Sequence, residues 1–198
     1  MKHVTNKYFE DEIMNSFRDK YEKYLKTENY KWSESYGESE SVLIKEDDKL
    51  FSELINKIKS RYGLSLNKFY RLTEKIGYLV VRKFFQCKEI EIRIEDWPKD
   101  PVDCDNIVSK YDLSESCYTI WLTVTGSCIT YEKEDEITGE GGESAHMDFL
   151  SGSCLETFFT EDPNHNYEKP DIQVIEEITK DEFIKELNKL VNKIEFSI

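Results

Sequence analysis

The sequence predicts an α+β fold in which N-terminal helices pack on an antiparallel sheet that a C-terminal helix closes. Within the first 86 residues, apolar residues recur every three or four positions in three segments, as in amphipathic helices. Charged residues then alternate with isoleucine from Glu89 to Glu95, which is typical of a strand with one buried face. Because helices and strands occupy separate stretches, we expect one domain over residues 1–198, with a helical part at about 1–86 and a sheet plus final helix at about 87–198.

Three helices are predicted in the N-terminal part. The first spans about residues 6–26. The second spans about residues 48–62 and ends at Gly63, because glycine suits the left-handed conformation that commonly follows a helix. The third is capped by Ser65, runs from Leu66 through Phe84 and carries Gly77 in its interior, at some cost in helix propensity.

The strands are predicted from alternation and from β-branched and aromatic content. Gly126-Ser127 is predicted as a two-residue type II′ hairpin turn, since glycine suits its first position. Gly152 is predicted to break a later strand, and residues 132–145 form a long acidic loop. The predicted strands span residues 89–95, 118–125, 128–131, 147–159 and 171–176.

The final helix has the clearest start signal in the chain. Thr179 followed by Glu182 matches a capping box, in which each side chain bonds the other residue's backbone N–H. The predicted core-facing stripe of this helix is Phe183, Ile184, Leu187, Leu190, Val191 and Ile194.

The cellular location is predicted from three features that the sequence lacks. The first residues lack the apolar run and small-residue cleavage site of a secretory signal. The longest apolar stretch, residues 78–81, is far shorter than the roughly 20 residues that span a bilayer, so no membrane association is expected. The five cysteines have an odd count and no short paired spacing, which favours reduced, mostly buried thiols and a cytoplasmic protein.

The charge is unevenly distributed along the chain. Residues 1–88 hold 18 basic and 14 acidic side chains, whereas residues 89–198 hold 9 basic and 27 acidic ones. A nucleic-acid ligand for the acidic half is therefore excluded, since phosphate binding needs lysines and arginines. A basic protein partner is favoured, with Trp97 as an aromatic anchor within a ring of carboxylates. The predicted partner-binding residues are Glu89, Glu91, Glu95, Asp96, Trp97, Asp100, Asp103 and Asp105.

A basic stripe is predicted on the third helix. At 100° per residue its four members fall within an arc of about 60° beside the apolar face. It can be a solvated face, a face that meets the acidic sheet within the fold, or a patch that binds phosphate or acidic groups. Its residues are Lys68, Arg71, Lys75 and Arg82.

Catalytic and metal-binding motifs are sparse. Cys154 with His146 or His165 is the one nucleophile-and-base combination that the sequence offers, and no spacing joins them. The histidines and cysteines lack the compact spacing of a metal site. No phosphate-binding or dinucleotide-binding glycine motif is present, so no metal and no cofactor are predicted.

Three hypotheses for the function remain from the sequence. The first is a non-enzymatic protein that presents an acidic surface to a basic partner, for example an immunity or inhibitor protein that blocks a cationic toxin such as a nuclease. The second is a small hydrolase-like enzyme with a site between the helices and the sheet. The third is a structural or regulatory interaction module that uses the loops at residues 27–41 and 132–145.

Overall fold

Seven strands form one antiparallel sheet in the computed structural model, which describes residues 2–3, 7–21, 40–44, 49–98, 116–134, 143–161 and 169–195. Three helices occur within these residues, so the α+β class is confirmed. The helices are α1 (Lys7–Lys20), α2 (Ser52–Tyr62) and α3 (Lys180–Glu195). The strands are β1 (Lys2–His3), β2 (Glu40–Ile44), β3 (Phe69–Ile76), β4 (Leu79–Pro98), β5 (Ser116–Glu134), β6 (Glu143–Thr160) and β7 (Ile172–Ile178).

Three long strands dominate the sheet. Its order is β1-β7-β3-β4-β5-β6, and β2 also pairs with β4. Strands β3 and β2 lie end to end along β4: β3 pairs with residues 79–86 and β2 pairs with residues 92–96. The part of the sheet that contains β7 and β3 is called the β7 half below, and the part that contains β2 is called the β2 half.

A row of irregularities crosses the sheet between the two halves. The β4–β5 register shifts between Cys87 and Glu89, and the β5–β6 register shifts on both sides of the Gly126–Gly152 pair. A Cβ atom on Gly126 would lie 1.9 Å from the carbonyl oxygen of Gln86. Strands bend and twist more strongly at such irregularities, and only glycine permits this backbone approach.

Helices cover both faces of the sheet. Helices α1 and α2 pack on what we call the inner face, where the Phe17 ring lies 5.0 Å from that of Tyr118 and the largest fully buried side chains meet. Helix α3 packs on the opposite, outer face of the β7 half, where Phe183 contacts Phe69 and joins Phe84 in a second apolar cluster. None of the three described helices has the length and apolar character needed to cross a membrane.

The first two predicted helices are present. Helix α1 is described from Lys7 to Lys20, and residues 22–26 of the prediction lie outside the described residues. Helix α2 begins at Ser52, four residues later than predicted. It ends at Gly63 with a φ of 68°, so the predicted left-handed terminator is confirmed.

The predicted third helix is wrong: those residues form the β3–β4 hairpin. Gly77 has a φ of 56° and opens the two-residue turn that joins Ile76 to Leu79. Tyr70 and Leu72 point into the inner core while Arg71 and Thr73 lie on the other face, a period of two that the dense apolar content had concealed. The basic stripe is therefore not a helix face.

The predicted hairpin at Gly126-Ser127 is also wrong, because β5 runs through it as one strand. β4 pairs with β5 on both sides of Gly126, so the chain has no need to reverse there. The predicted acidic loop is shorter than expected, since β5 extends to Glu134 and β6 begins at Glu143. The predicted strand break at Gly152 appears as a register shift within β6, and the last predicted strand is β7.

The capping box at the start of α3 is confirmed. The Thr179 backbone N–H donates to Glu182 Oε2 at 2.8 Å, and the Glu182 N–H donates to Thr179 Oγ1 at 3.2 Å. In the predicted stripe, Phe183 and Leu190 are buried and Leu187 is half-buried, whereas the other described members, Ile184 and Val191, are exposed.

Replacing Thr179 with alanine is expected to destabilise the protein by about 1 kcal/mol, because one helix N–H loses its partner. Urea unfolding followed by circular dichroism measures this. The hydrogen bonds from Thr179 lower the pKa of Glu182 below 4.5. The carboxylate's contribution is therefore present above its unfolded pKa and is lost as the pH falls through the folded pKa. An unchanged free energy of unfolding in Thr179→Ala at pH 7 would contradict the capping role of Thr179.

Candidate functional site

The acidic side chains of the predicted alternating strand lie on the outer face of the β2 half. Ile92 and Ile94 are buried in the inner core, and Ile90 packs against it. Because strand side chains alternate, Glu89 and Glu91 lie on the opposite face. The predicted acidic face of this strand is thus where the alternation places it, and no described helix packs on it.

Three carboxylates on this face have no partner among the described residues. Cross-strand register aligns Glu91 with Thr123 and then with Glu156, and it aligns Glu89 with Thr125. Among the described residues, Glu89, Glu91 and Glu156 form no hydrogen bond and no ion pair. Glu89 and Glu156 are exposed and Glu91 is half-buried. We call these three residues the outer acidic patch.

Glu95 belongs to the same face but is engaged internally. It forms an ion pair with Arg93 at 3.0 Å and accepts a hydrogen bond from Trp121 Nε1 at 2.7 Å. The Arg93 guanidinium also lies 5.7 Å from the centroid of the Trp121 ring, and Trp121 packs against Phe158. Glu95 therefore organises this corner of the sheet, and Arg93 reduces the negative charge beside the outer acidic patch.

The structure describes little about the other predicted partner-binding residues. Asp96 and Trp97 lie at the end of β4, where their backbones pair with Tyr118 and Cys117. The remaining predicted positions, Asp100, Asp103 and Asp105, lie outside the described residues.

Trp121, Phe158 and Glu156 on this face were missed in the sequence. Trp121 was assigned to a strand without a role, although Thr119, Trp121 and Thr123 occur at every second position. That alternation was the available signal, because it places the indole among polar side chains on one face. Glu156 carried no comparable signal, since its alignment with Glu91 depends on the β4–β5–β6 register.

Two members of the basic stripe are paired with acidic side chains of β7. Lys68 bonds Glu177 at 2.7 Å, and Arg71 Nε donates to Glu176 at 2.8 Å. Lys68 and Arg71 therefore face acidic side chains of the sheet within the fold, which is one of the three alternatives that the sequence left open. Lys75 is half-buried on β3, and Arg82 is exposed on β4 without an ion pair to a described residue.

The structure places Cys154 beside a second thiol. Cys154 Sγ donates to the carbonyl oxygen of Gly152 at 3.3 Å, and Cys128 Sγ lies 3.6 Å from Thr130 Oγ1. Hydrogen bonding with Cys154 is the largest influence on the pKa of Cys128 and lowers it; burial opposes this, and Thr130 and the Lys83 charge add to the lowering. The interaction with Cys128, together with burial, raises the pKa of Cys154.

The proposed pairing of Cys154 with a histidine gains no support from this geometry. His146 is exposed on β6, where it pairs with Thr130, and His165 lies outside the described residues. A buried thiol with a raised pKa stays protonated at neutral pH, so Cys154 is a poor nucleophile. Cys128 was missed because 26 positions separate it from Cys154 and no local pattern joins them.

Neither the search for metal sites nor the comparison with known proteins assigns a function to this chain. Within the described ranges, no three His, Cys, Asp or Glu side chains are arranged to hold a metal ion. No protein-family model, curated protein or solved structure matches the chain.

Proposed function

We propose that this protein is a non-enzymatic binding protein that presents the outer face of the β2 half to a basic protein. The observation that carries the proposal is the outer acidic patch, in which Glu89, Glu91 and Glu156 have no partner among the described residues and lie on a face that no described helix covers. Carboxylates that are already paired inside a chain have little left to offer a cationic partner, whereas unpaired ones retain their full attraction.

The overall charge supports the same proposal. The chain has a formal net charge of −14, and residues 89–198 hold three acidic side chains for each basic one. A field of one sign accelerates encounter with an oppositely charged protein and repels nucleic acid. A basic protein is therefore the favoured partner, and an immunity or inhibitor protein acting on a cationic nuclease is one concrete form.

The contrast between the halves of the sheet favours the β2 half as the contact surface. In the β7 half, Glu176 and Glu177 are neutralised by Arg71 and Lys68. The outer face of that half is also occupied by α3. In the part of the chain that the structure describes, the β2 half thus combines an outer face without a helix and three carboxylates without an ion pair.

The double variant Glu89→Gln/Glu91→Gln is expected to bind a basic partner about five- to tenfold more weakly at low salt, since each surface charge contributes up to about 1 kcal/mol. Immobilised protein is incubated with a lysate of the producing cells at low ionic strength and eluted with a salt gradient. We expect retained proteins of high isoelectric point that elute from the double variant at lower salt than from the unsubstituted chain.

The matched control is Asp11→Asn/Asp19→Asn, which removes the same charge from exposed positions of α1. It is expected to elute like the unsubstituted chain. Retention of no basic protein at low salt would exclude the proposal. Equal weakening by the two double variants would show that net charge acts without the outer acidic patch.

A further inference from the structure

Cys128 and Cys154 lie on either side of the row of irregularities that crosses the sheet. Cys128 follows Gly126 in β5, and Cys154 occupies the register shift between Ser153 and Leu155 in β6. Both side chains belong to the inner core, with exposed fractions of 1% and 0%. If the β5–β6 ladder were straight, Cys128 and Cys154 would be separated by several residue positions along the strands.

A lysine contact shows that the sheet bends strongly between the positions of the two cysteines. Lys83 pairs with Thr130, and Ser153 pairs with Thr125, so five positions of β5 separate the two partners. Five extended positions span about 16 Å, much more than a lysine side chain can cover along a straight strand. Lys83 Nζ nevertheless donates to the Ser153 carbonyl oxygen at 3.2 Å. The inner faces on the two sides of Gly126 therefore approach each other.

The surroundings treat the two thiols differently. Lys83 stands beside both, which favours a negative sulfur, and the Thr130 hydroxyl is within reach of Cys128. Cys154 instead donates to the Gly152 carbonyl oxygen, which favours the protonated thiol. A lowered pKa for Cys128 and a raised pKa for Cys154 agree with this contact pattern.

We propose that Cys128 and Cys154 are a peroxide-sensitive dithiol, in which Cys128 is the attacking sulfur and Cys154 the resolving one. The inference does not depend on the proposed binding function. It assigns a reversible modification site to a pair of residues that is buried in the inner core but close to its surface, since the neighbouring Ser153 and the nearby Asp148 are both exposed.

The chemistry is balanced with hydrogen peroxide as the oxidant. The Cys128 thiolate attacks one peroxide oxygen, a sulfur–oxygen bond forms, the oxygen–oxygen bond breaks, and hydroxide leaves to become water with the proton that the thiol released. Once Cys128 is an uncharged sulfenic acid, it no longer raises the pKa of Cys154 through its negative charge, and the Cys154 sulfur attacks the sulfur of Cys128. The sulfur–oxygen bond breaks, and hydroxide takes the Cys154 proton. Two thiols and one peroxide yield one disulfide and two waters.

The test maps the oxidised pair in the full chain. Reduced protein is exposed to hydrogen peroxide, remaining thiols are alkylated, and the protein is digested with trypsin and then chymotrypsin. Lys133 separates Cys128 from Cys154, and Trp121 separates Cys117 from Cys128. We expect a loss of two hydrogen atoms, a cross-linked peptide that joins Cys128 to Cys154, and full reversal by a small dithiol.

Two single variants separate the roles of the sulfurs. Cys154→Ser is expected to leave Cys128 as a sulfenic acid that a cyclic diketone traps, because no resolving thiol remains. Cys128→Ser is expected to leave Cys154 unmodified, because burial and the hydrogen bond to the Gly152 carbonyl oxygen still favour its protonated thiol. Cys117→Ser, a substitution of another buried cysteine, serves as the control and should leave the cross-link unchanged.

Mapping in the unsubstituted chain keeps the proposal testable even if a variant fails to fold. Unmodified Cys128 and Cys154 under conditions that fully oxidise glutathione in the same tube would overturn it. A first disulfide that joins Cys154 to Cys87 would also overturn it, as would trapping of the sulfenic acid on Cys154 instead of Cys128.

Discussion

Replacing Gly126 with alanine is expected to lower the free energy of unfolding by more than about 3 kcal/mol. The added Cβ would lie 1.9 Å from the Gln86 carbonyl oxygen and 3.3 Å from the Lys88 nitrogen. These atoms belong to β4, which is hydrogen-bonded to strands on both of its edges, so the backbone has little freedom to move away. Urea unfolding monitored by circular dichroism gives the change.

Gly63→Ala is the matched control for this substitution. A Cβ at Gly63 meets no atom within 4 Å, so the cost comes from its φ of 68° alone and should be about 1 kcal/mol. If the two alanine variants lose similar stability, the close approach of β5 to β4 at Gly126 is not as tight as described here.

Phe17→Ala is expected to destabilise the protein by about 3–5 kcal/mol, because a fully buried ring leaves a cavity. Phe17 lies in α1 and packs against Tyr21 of the same segment and Tyr118 of β5. The substitution thus tests whether α1 is held on the inner face by aromatic contacts. Thermal and urea unfolding of the purified variant measure the loss.

Asn15→Ala provides the comparison on the same helix. Asn15 is exposed, so its replacement should change the free energy of unfolding by no more than about 0.5 kcal/mol. A small effect of Phe17→Ala, similar to that of Asn15→Ala, would contradict the docking of α1 on the sheet.

Local signals predicted the parts of the fold that depend on neighbouring residues. The alternation in residues 89–95 gave both the strand and its buried face, since successive strand side chains point to opposite sides. The capping box at Thr179 and the terminator at Gly63 were equally reliable, because each is completed within a few residues.

Two glycines have structural roles that differ from those predicted. Gly126 was expected to turn the chain and instead permits close strand packing, whereas Gly77 was expected inside a helix and instead opens a type II′-like turn. Glycine is compatible with both uses, so the sequence alone could not choose. The choice was made by strand pairing with distant segments, as when β7 pairs with β3.

The candidate sites were predictable to different extents. Glu89 and Glu91 were expected on the exposed side of a strand, but the sequence could not show that Glu95 is bound by Arg93 and Trp121. The dithiol could not be predicted at all. Cys128 and Cys154 approach each other only because three long strands bend together.

By itself, the sequence determined the α+β class, the segregation of negative charge into the second half of the chain, and the helix and strand signals that close within a turn or a few alternating positions. Tertiary structure alone decided which carboxylates lack a partner among the described residues, which face of the sheet α3 does not cover, and which thiols interact. The physical reason is range: capping and alternation act between near neighbours, whereas ion pairing and register join residues whose separation along the chain carries no local pattern.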